Sequence, residues 1–168
     1  MNTVVPRITV VMPARDDATL IAASVDSVLN QTAGPLELVT VDDASNDETL
    51  ELLEHAAKTD QRVCPISLAH QSGPAIARNT GIEAARGRYI AFCDSDDIWH
   101  PQKLEKQLAF MQQHRCAVSF TAYRKVSEAD TARASADRIV HPPARVDYQT
   151  LLRSNPIGLS TAIYDTEL

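Results

Sequence analysis

Short apolar runs alternate with amphipathic segments along most of this chain. Residues 7–12 form a nearly continuous β-branched run that Pro13 ends, a pattern typical of a strand buried on both faces. The next apolar positions follow the 3.6-residue period of a helix: Leu20, Ile21, Val25, Val28 and Leu29. The same criteria predict strands at 36–41, 63–68, 89–93 and 117–123, and helices beginning near residues 46, 74 and 102. This order predicts an α/β fold with a mostly parallel sheet flanked by helices.

The pattern weakens after Val126. Residues 127–137 are polar and rich in alanine, which favours an exposed loop or hairpin. A short helix is predicted at 148–153 and a strand at 159–164. The chain has no internal repeat and no low-complexity linker, so we interpret residues 1–168 as one domain.

Composition narrows the class of protein. The chain has 168 residues, of which 44% are hydrophobic and 23% charged, as in an ordinary folded domain. Its net charge of -6 argues against a nucleic-acid partner, which would need a basic face. The three cysteines fit no CxxC pair or disulfide framework and are interpreted as packing residues in a reducing cytoplasm. We see no signal peptide or membrane-spanning run, and a location at the inner face of the membrane stays open.

The fourth predicted strand runs directly into three carboxylates within four residues: Asp94, Asp96 and Asp97. Like charges this close raise one another's pKa, and a divalent cation relieves the repulsion. If the extended conformation persists beyond the strand, Asp94 and Asp96 project to the same side at period two. Both can then address one Mg²⁺ or Mn²⁺ that carries a diphosphate. The alternative is a solvated turn in which Asp97 caps the next helix. We favour metal or ribose contacts.

A second acidic pair, Asp42 and Asp43, ends the second predicted strand. Asp43 can accept hydrogen bonds from a base or a ribose, or the pair can order the turn and cap the next helix. Pro13-Ala14-Arg15 ends the first strand. Because the carboxyl ends of parallel strands share an edge, where such sheets bind ligands, these motifs are predicted to meet.

Other polar positions remain ambiguous on sequence alone. A glycine turn precedes the helix that carries Arg78, which either faces a phosphate or makes a surface ion pair. Trp99 either walls the pocket or packs beneath it, and we favour packing. The histidines lack the spacing of zinc ligands.

Five motifs now stand in order and resemble the family 2 glycosyltransferases, which have the GT-A fold. They are Val10–Asp16, Ser27–Thr32, Val41–Ser45, Ala77–Gly81 and Phe92–Trp99. The resemblance covers about residues 7–125, and the tail after Leu159 resembles the next strand. It implies an inverting transferase that uses a nucleotide-diphospho-sugar, with a UDP-sugar favoured, and Mn²⁺ or Mg²⁺ as cofactor.

The resemblance also implies roles for single residues in the first loops. Asp43 matches the residue that contacts the nucleotide base. Pro13, Ala14 and Arg15 match the loop that lines the nucleoside, and Arg78 is placed to approach the nucleotide.

The acidic loop matches the family's D-x-D motif. Asp96 is then the direct metal ligand and Asp94 lies near the ribose or the metal shell. Ser95, between them, is assigned to the donor contacts.

Two departures from the family pattern stand out. Members often carry an aromatic residue and then Asn where this chain has Arg15 and Asp16. The family's base is usually a carboxylate in a Glu-Asp type motif after the last predicted strand, and Asp165 and Glu167 do not match that context. We therefore expect the catalytic base to lie beyond Leu168. On this interpretation 7–125 is the donor-binding part and 126–168 a partial acceptor-side segment, with the C-terminal acceptor part missing.

Three functions compete at this point. The first is a glycosyltransferase that serves polysaccharide or glycoconjugate synthesis with a sugar or lipid-linked acceptor. The second is a catalytically silent nucleotide-binding or interaction domain without the base. The third is a sugar-phosphate nucleotidyltransferase. It is the weakest, because such enzymes usually carry a glycine-rich loop after the first strand and residues 13–19 hold no glycine. Uncovered apolar surface would also allow a homo-oligomer.

Overall fold

The computed structural model describes residues 7–126 and 139–168. Strands and helices alternate up to α4: β1 (Ile8–Ala14), α1 (Ile21–Leu29), β2 (Leu36–Asp42), α2 (Thr49–Thr59), β3 (Val63–Ser67), α3 (Pro74–Ala84), β4 (Tyr89–Phe92) and α4 (Lys103–His114). Shorter elements follow: β5 (Val118–Ser119), β6 (Tyr123–Arg124), β7 (Ile139–Val140), α5 (Tyr148–Arg153), a 3-10 turn (Leu159–Thr161) and β8 (Ile163–Asp165). In these two stretches of chain, no helix is long and apolar enough to cross a membrane.

Six strands form the main sheet, in the order β3-β2-β1-β4-β8-β5. The four strands β3, β2, β1 and β4 are parallel neighbours. The last strand, β8, is antiparallel to both β4 and β5, between which it lies. A separate two-stranded pair joins β6 to β7. The predicted mostly parallel α/β sheet is confirmed.

Strands β1 and β2 are buried along their whole length, which explains why apolar residues predominate in both. Alternate residues of β1 face opposite layers. Val10 and Met12 pack in a cluster with residues of α1, α2 and α4, whereas Val11 packs towards Ile82 of α3. Helices therefore cover both faces of the sheet and leave its edges for the connecting loops.

The C-terminal part differs from the sequence prediction in detail. The predicted strand at 117–123 is only the two residues of β5, and Tyr123 belongs to β6. The predicted strand at 159–164 begins late, because Thr161 turns back and donates hydrogen bonds from its amide and its hydroxyl to the carbonyl of Gly158. The helix at 148–153 is confirmed as α5. The predicted loop or hairpin at 127–137 lies outside the described residues.

Close backbone packing explains the glycine before β4. A Cβ at Gly87 would lie 2.5 Å from the backbone nitrogen of Thr9 and 2.7 Å from the carbonyl carbon of Ile8. We expect Gly87→Ala to lower the free energy of unfolding by about 2–3 kcal/mol, because two backbones must separate. Urea denaturation followed by circular dichroism measures this.

Gly81→Ala is the matched comparison for that measurement. Its Cβ would crowd the side chain of the buried Val11 (Cγ1 nearest, Cγ2 at 3.3 Å and Cβ at 3.4 Å) but no backbone atom, and alanine inside α3 gains helix propensity of about 1 kcal/mol. A Gly87→Ala loss no larger than the Gly81→Ala loss would contradict the backbone argument.

Candidate functional site

Four loops meet at the carboxyl edge of the parallel strands. Ala14 at the end of β1 lies opposite Asp42 at the end of β2, which in turn lies opposite Ser67 of β3. The loop after β4 begins beside them, since Phe92 pairs with Val11. The strand ends therefore bring the predicted motifs together, as expected for this sheet topology.

Asp43 connects three of these loops. Its amide donates to the carbonyl of Ala14 (2.9 Å), and its own carbonyl accepts from Arg15 Nη1 (2.7 Å). Its buried carboxylate accepts from the amides of Ser72 (2.6 Å) and Gly73 (2.9 Å), just before α3. Asp43 therefore holds the loops after β1 and β3 in fixed positions. Each carboxylate oxygen has two lone pairs, so these amides do not exhaust its capacity to accept a ligand's hydrogen bonds.

The neighbouring Asp42 has the local role that the sequence left open for this pair. Its carboxylate accepts hydrogen bonds from the amide and the hydroxyl of Ser45 and so orders the turn. The loop after β1 is joined to the same turn, because the amide of Asp16 donates to Ser45 Oγ at 3.0 Å. Arg15 and Asp16, which replace the family's aromatic residue and Asn, form an ion pair at 3.4 Å.

Arg78 lies inside the site and its partner is Asp94. Arg78 Nη2 and Asp94 Oδ1 are 2.6 Å apart, and both side chains are largely shielded from water. The buried Nε of Arg78 has no hydrogen-bond partner within the described stretches. The structure thus excludes a purely peripheral surface role for Arg78, and it leaves a donor atom unused beside the acidic loop.

The acidic loop itself is held from two sides. The amide of Asp94 donates to Ser160 Oγ (2.9 Å), in the segment before β8. The buried Ser95 donates its hydroxyl to Asp17 Oδ2, and its carbonyl accepts from Ser24 Oγ (2.7 Å). These contacts fix the loop against α1 and against the C-terminal segment.

Asp96 is the exposed carboxylate of this loop. Partial desolvation and the charge of Asp97, with smaller effects of Asp17 and Asp94, raise the pKa of Asp96. Within 7–126 and 139–168 it forms no ion pair. Its oxygens and the crowded negative charge fit a hard divalent cation.

The described side chains alone do not form a complete metal site. No cluster of three or more His, Cys, Asp or Glu side chains is arranged to enclose a metal ion, as far as the structure describes the chain. Oδ1 of Asp94 is also engaged by Arg78. Such a site would need phosphate oxygens and water to complete the coordination shell, as Mg²⁺ sites on nucleotides commonly do.

Trp99 and Lys103 form a layer beneath the acidic loop. Trp99 is buried in the core cluster, and its Nε1 donates to the carbonyl of Ser160 at 3.0 Å. The structure therefore supports packing rather than a pocket wall. Lys103 Nζ lies 3.8 Å from the centre of the Trp99 ring and donates to Gln107 Oε1 at 2.8 Å. Removal of the ammonium group from water lowers the pKa of Lys103 to about 7, against a weak opposing effect of Cys93.

The low pKa of Lys103 has a consequence for stability. Unfolding returns the amine to its ordinary pKa near 10, so between about pH 7 and 10 the unfolded chain binds more protons than the folded chain. The penalty of the charged lysine is full below pH 7 and fades as pH rises. We therefore expect the unaltered chain to gain stability relative to Lys103→Met across this window, by urea denaturation at stepped pH. A difference that is constant with pH would refute the buried-lysine assignment.

The cysteines are free thiols. Cys93 is buried in the core, and Cys64 and Cys116 are half-buried. Burial, with a smaller effect of nearby carboxylates, raises the pKa of the Cys64 and Cys93 thiols. These surroundings agree with the predicted packing role.

Asp165, at the end of β8, forms an ion pair with Arg88. Arg88 donates to both of its carboxylate oxygens (2.9 and 2.7 Å), which holds the pKa of Asp165 below its usual value. Glu167 makes a second ion pair with Arg88 at 2.7 Å. The two acidic residues after the predicted last strand are thus tied to an arginine.

Sequence reasoning missed four residues of this constellation: Asp17, Ser160, Lys103 and Gln107. On sequence alone, Asp17 is only a candidate cap for the first helix, and nothing in its pattern indicates a contact with Ser95. A signal for Lys103 existed in its position four residues before Gln107, which places both on one face of α4.

Curated relatives resemble the chain over almost its whole length. A putative teichuronic acid biosynthesis glycosyltransferase of Bacillus subtilis, TuaG, is 40% identical over 162 residues, which are 96% of this chain and 63% of the relative. A second relative is the UDP-Glc:α-D-GlcNAc-diphosphoundecaprenol β-1,3-glucosyltransferase WfgD of Escherichia coli. It is 34% identical over 162 residues, which are 96% of this chain and 61% of the length of WfgD. The chain thus spans about three fifths of the length of these relatives.

Solved structures share the fold. S. aureus TarS 1-349 in complex with UDP superposes with a TM-score of 0.70 at 24% identity, covering 95% of this chain and 47% of TarS. The mannosyltransferase PcManGT of Pyrobaculum calidifontis, in complex with GDP-Man and Mn²⁺, gives a TM-score of 0.63 at 26% identity over 73% of this chain and 37% of its own.

The family model described as glycosyl transferase family 2 matches residues 9–165. This match spans the four site loops and the sheet from β1 to β8. Together with the relatives and the GT-A-type structures, it confirms the resemblance seen in the motifs. The chain belongs to glycosyl transferase family 2.

Proposed function

We propose that this chain binds the donor for a metal-dependent, inverting glycosyltransferase. The donor is a nucleotide-diphospho-sugar, with a UDP-sugar favoured. The observation that carries the proposal is the convergence of Asp43, Arg78, Asp94 and Asp96 at the carboxyl edge of the sheet. The UDP and GDP-Man complexes of the structural neighbours support a nucleotide-sugar ligand.

The loops after β1 and β2 bind the nucleoside part of the donor. Pro13, Ala14 and Arg15 line the nucleoside, and Asp43, held rigid by two backbone amides, accepts hydrogen bonds from the base. Arg15 is kept close by its bond to the Asp43 carbonyl. This pre-organisation lowers the entropic cost of donor binding.

The acidic loop and Arg78 bind the diphosphate end of the donor. Asp96 is the direct ligand of Mn²⁺ or Mg²⁺, and Asp94 lies near the ribose or the metal shell, with Ser95 as a further donor contact. When bound, the metal neutralises charge on the diphosphate as it leaves. Arg78 positions Asp94 through its Nη2, and the charge of its guanidinium group favours the same phosphates.

The acceptor is a sugar or a lipid-linked sugar, and the product a polysaccharide or glycoconjugate. The names of the relatives TuaG and WfgD support this assignment. A lipid-linked acceptor favours a location in the cytoplasm at the inner face of the membrane. Asp165 is not assigned as the base that activates the acceptor, because Arg88 occupies its carboxylate.

Calorimetric titration with UDP, with and without Mn²⁺, tests the donor site. We expect binding that requires Mn²⁺ and is weaker for GDP and dTDP. Folded protein that binds none of the three nucleotides in either condition would refute the proposal.

A silent nucleotide-binding domain is the second candidate. It is favoured by the Arg15–Asp16 ion pair, which stands where the family often has an aromatic residue and Asn. Turnover of nucleotide-sugars to free nucleotide diphosphate separates the two, since a silent domain binds UDP without consuming the donor.

A further inference from the structure

Helix α5 has no buried residue. Its large apolar side chains are exposed: Tyr148 by 74%, Leu151 by 45% and Leu152 by 67%. Asp147 caps it by accepting from the amide of Thr150 at 2.8 Å. A helix of six residues is too short to be stable by propensity alone, and this one packs none of its apolar side chains into the core that the structure describes. It therefore presents an apolar face for a partner.

Exposed basic residues flank this helix in the sequence. Arg145 and Arg153 lie just before and at the end of α5, and both are exposed. Asp147 is the one acidic residue in 139–154, and it is used as the cap. The chain as a whole has a net charge of -6, so this segment has the opposite sign to the rest.

We propose that the α5 patch (Arg145, Tyr148, Leu151, Leu152 and Arg153) docks onto an anionic lipid surface. Leucine and an aromatic ring beside arginines suit the boundary between acyl chains and negatively charged headgroups. A second copy of the chain would bring like charges together across the patch. Charge complementarity therefore favours a membrane over a symmetric contact between two copies of the patch.

The position of the patch matters for the donor site. Arg153 is seven residues before Ser160, whose hydroxyl accepts from the amide of Asp94. Seven residues span at most about 25 Å, so docking holds the acidic loop close to the bilayer. This inference deepens the membrane location proposed above and does not depend on the transfer reaction.

Vesicle flotation tests the docking. We expect the chain to float with vesicles of phosphatidylcholine and phosphatidylglycerol but not with phosphatidylcholine alone, and to be released by high salt. The double variant Leu151→Asp/Leu152→Asp should lose binding by about tenfold or more. Ile76→Asp/Phe110→Asp adds the same two charges at side chains that are 52% and 51% exposed on α3 and α4, so it is the matched control and should float like the unaltered chain.

Several outcomes would overturn the proposal. They are the absence of flotation with anionic vesicles, equal flotation of the double variant, or equal binding to both vesicle types. A dimer in analytical ultracentrifugation that the double variant abolishes would reassign the patch to a contact between copies. UDP calorimetry on the same samples keeps the questions apart, because the double variant should retain the nucleotide affinity of the unaltered chain. Failure of UDP binding in every sample would concern the donor site alone.

Discussion

Asp96→Ala is expected to abolish metal-dependent UDP binding and to leave the fold intact. Asp96 is exposed and takes no part in the ion pairs of the described residues, so its removal costs no packing. Partial desolvation and the charge of Asp97 raise the pKa of Asp96, so its removal relieves both costs and stability should hold or improve. Loss of a direct ligand should weaken UDP affinity in Mn²⁺ by more than about 100-fold, which is the upper end of the effect typical of outer-shell partners. Calorimetry with UDP and Mn²⁺ measures it.

Asp26→Ala is the control for this experiment. Asp26 is an exposed aspartate on α1, so its removal changes the net charge equally. Its UDP affinity should match that of the unaltered chain. An unchanged affinity in Asp96→Ala would show that the metal is misplaced, and an equal loss in both variants would point to net charge instead.

Asp43→Asn is expected to impair both stability and base recognition. The amide side chain keeps one oxygen but turns an NH₂ group towards the amides of Ser72 and Gly73, which both need an acceptor. A buried donor without a partner costs about 1–3 kcal/mol, so the free energy of unfolding should fall by that amount. UDP affinity should fall as well, because the loop before α3 loses its anchor.

A comparison of ligands separates the two roles of Asp43. If its carboxylate contacts the base, Asp43→Asn should weaken UDP by a larger factor than ribose 5-diphosphate, which lacks the base. Asp42→Asn is the neighbouring control: it disturbs only the turn at Ser45 and should weaken both ligands equally. Equal weakening by Asp43→Asn would limit that residue to a structural role.

Local pattern was sufficient for the parallel half of the sheet. A strand buried on both faces is rich in apolar residues at successive positions, as β1 is at Val10, Val11 and Met12, and the polar residues that follow it then mark the ligand edge. The contacts of Asp43 and Asp94 with residues from other loops follow from that topology. The metal and nucleotide roles of these residues remain predictions.

The sequence could not reveal the contacts that depend on long-range register. Ser160 reaches Asp94 and Trp99 because β8 inserts antiparallel beside β4, and three residues of strand give no pattern that specifies this partner. The bond from Ser95 to Asp17 joins residues 78 positions apart. The low pKa of Lys103 depends on burial, which residue type alone does not give.

The insertion of β8 also affects how the polypeptide is made. A ribosome delivers β4 and β5 long before Ile163–Asp165, yet those last residues are the strand that joins them. Until then the nascent chain exposes the edge of β4, with unpaired amides and carbonyls open to other chains. Synthesis therefore passes through a stage at which four parallel strands can pair while the acidic loop still lacks its contact to Ser160. At that stage the exposed edge of β4 makes the nascent chain prone to aggregation and to binding by chaperones.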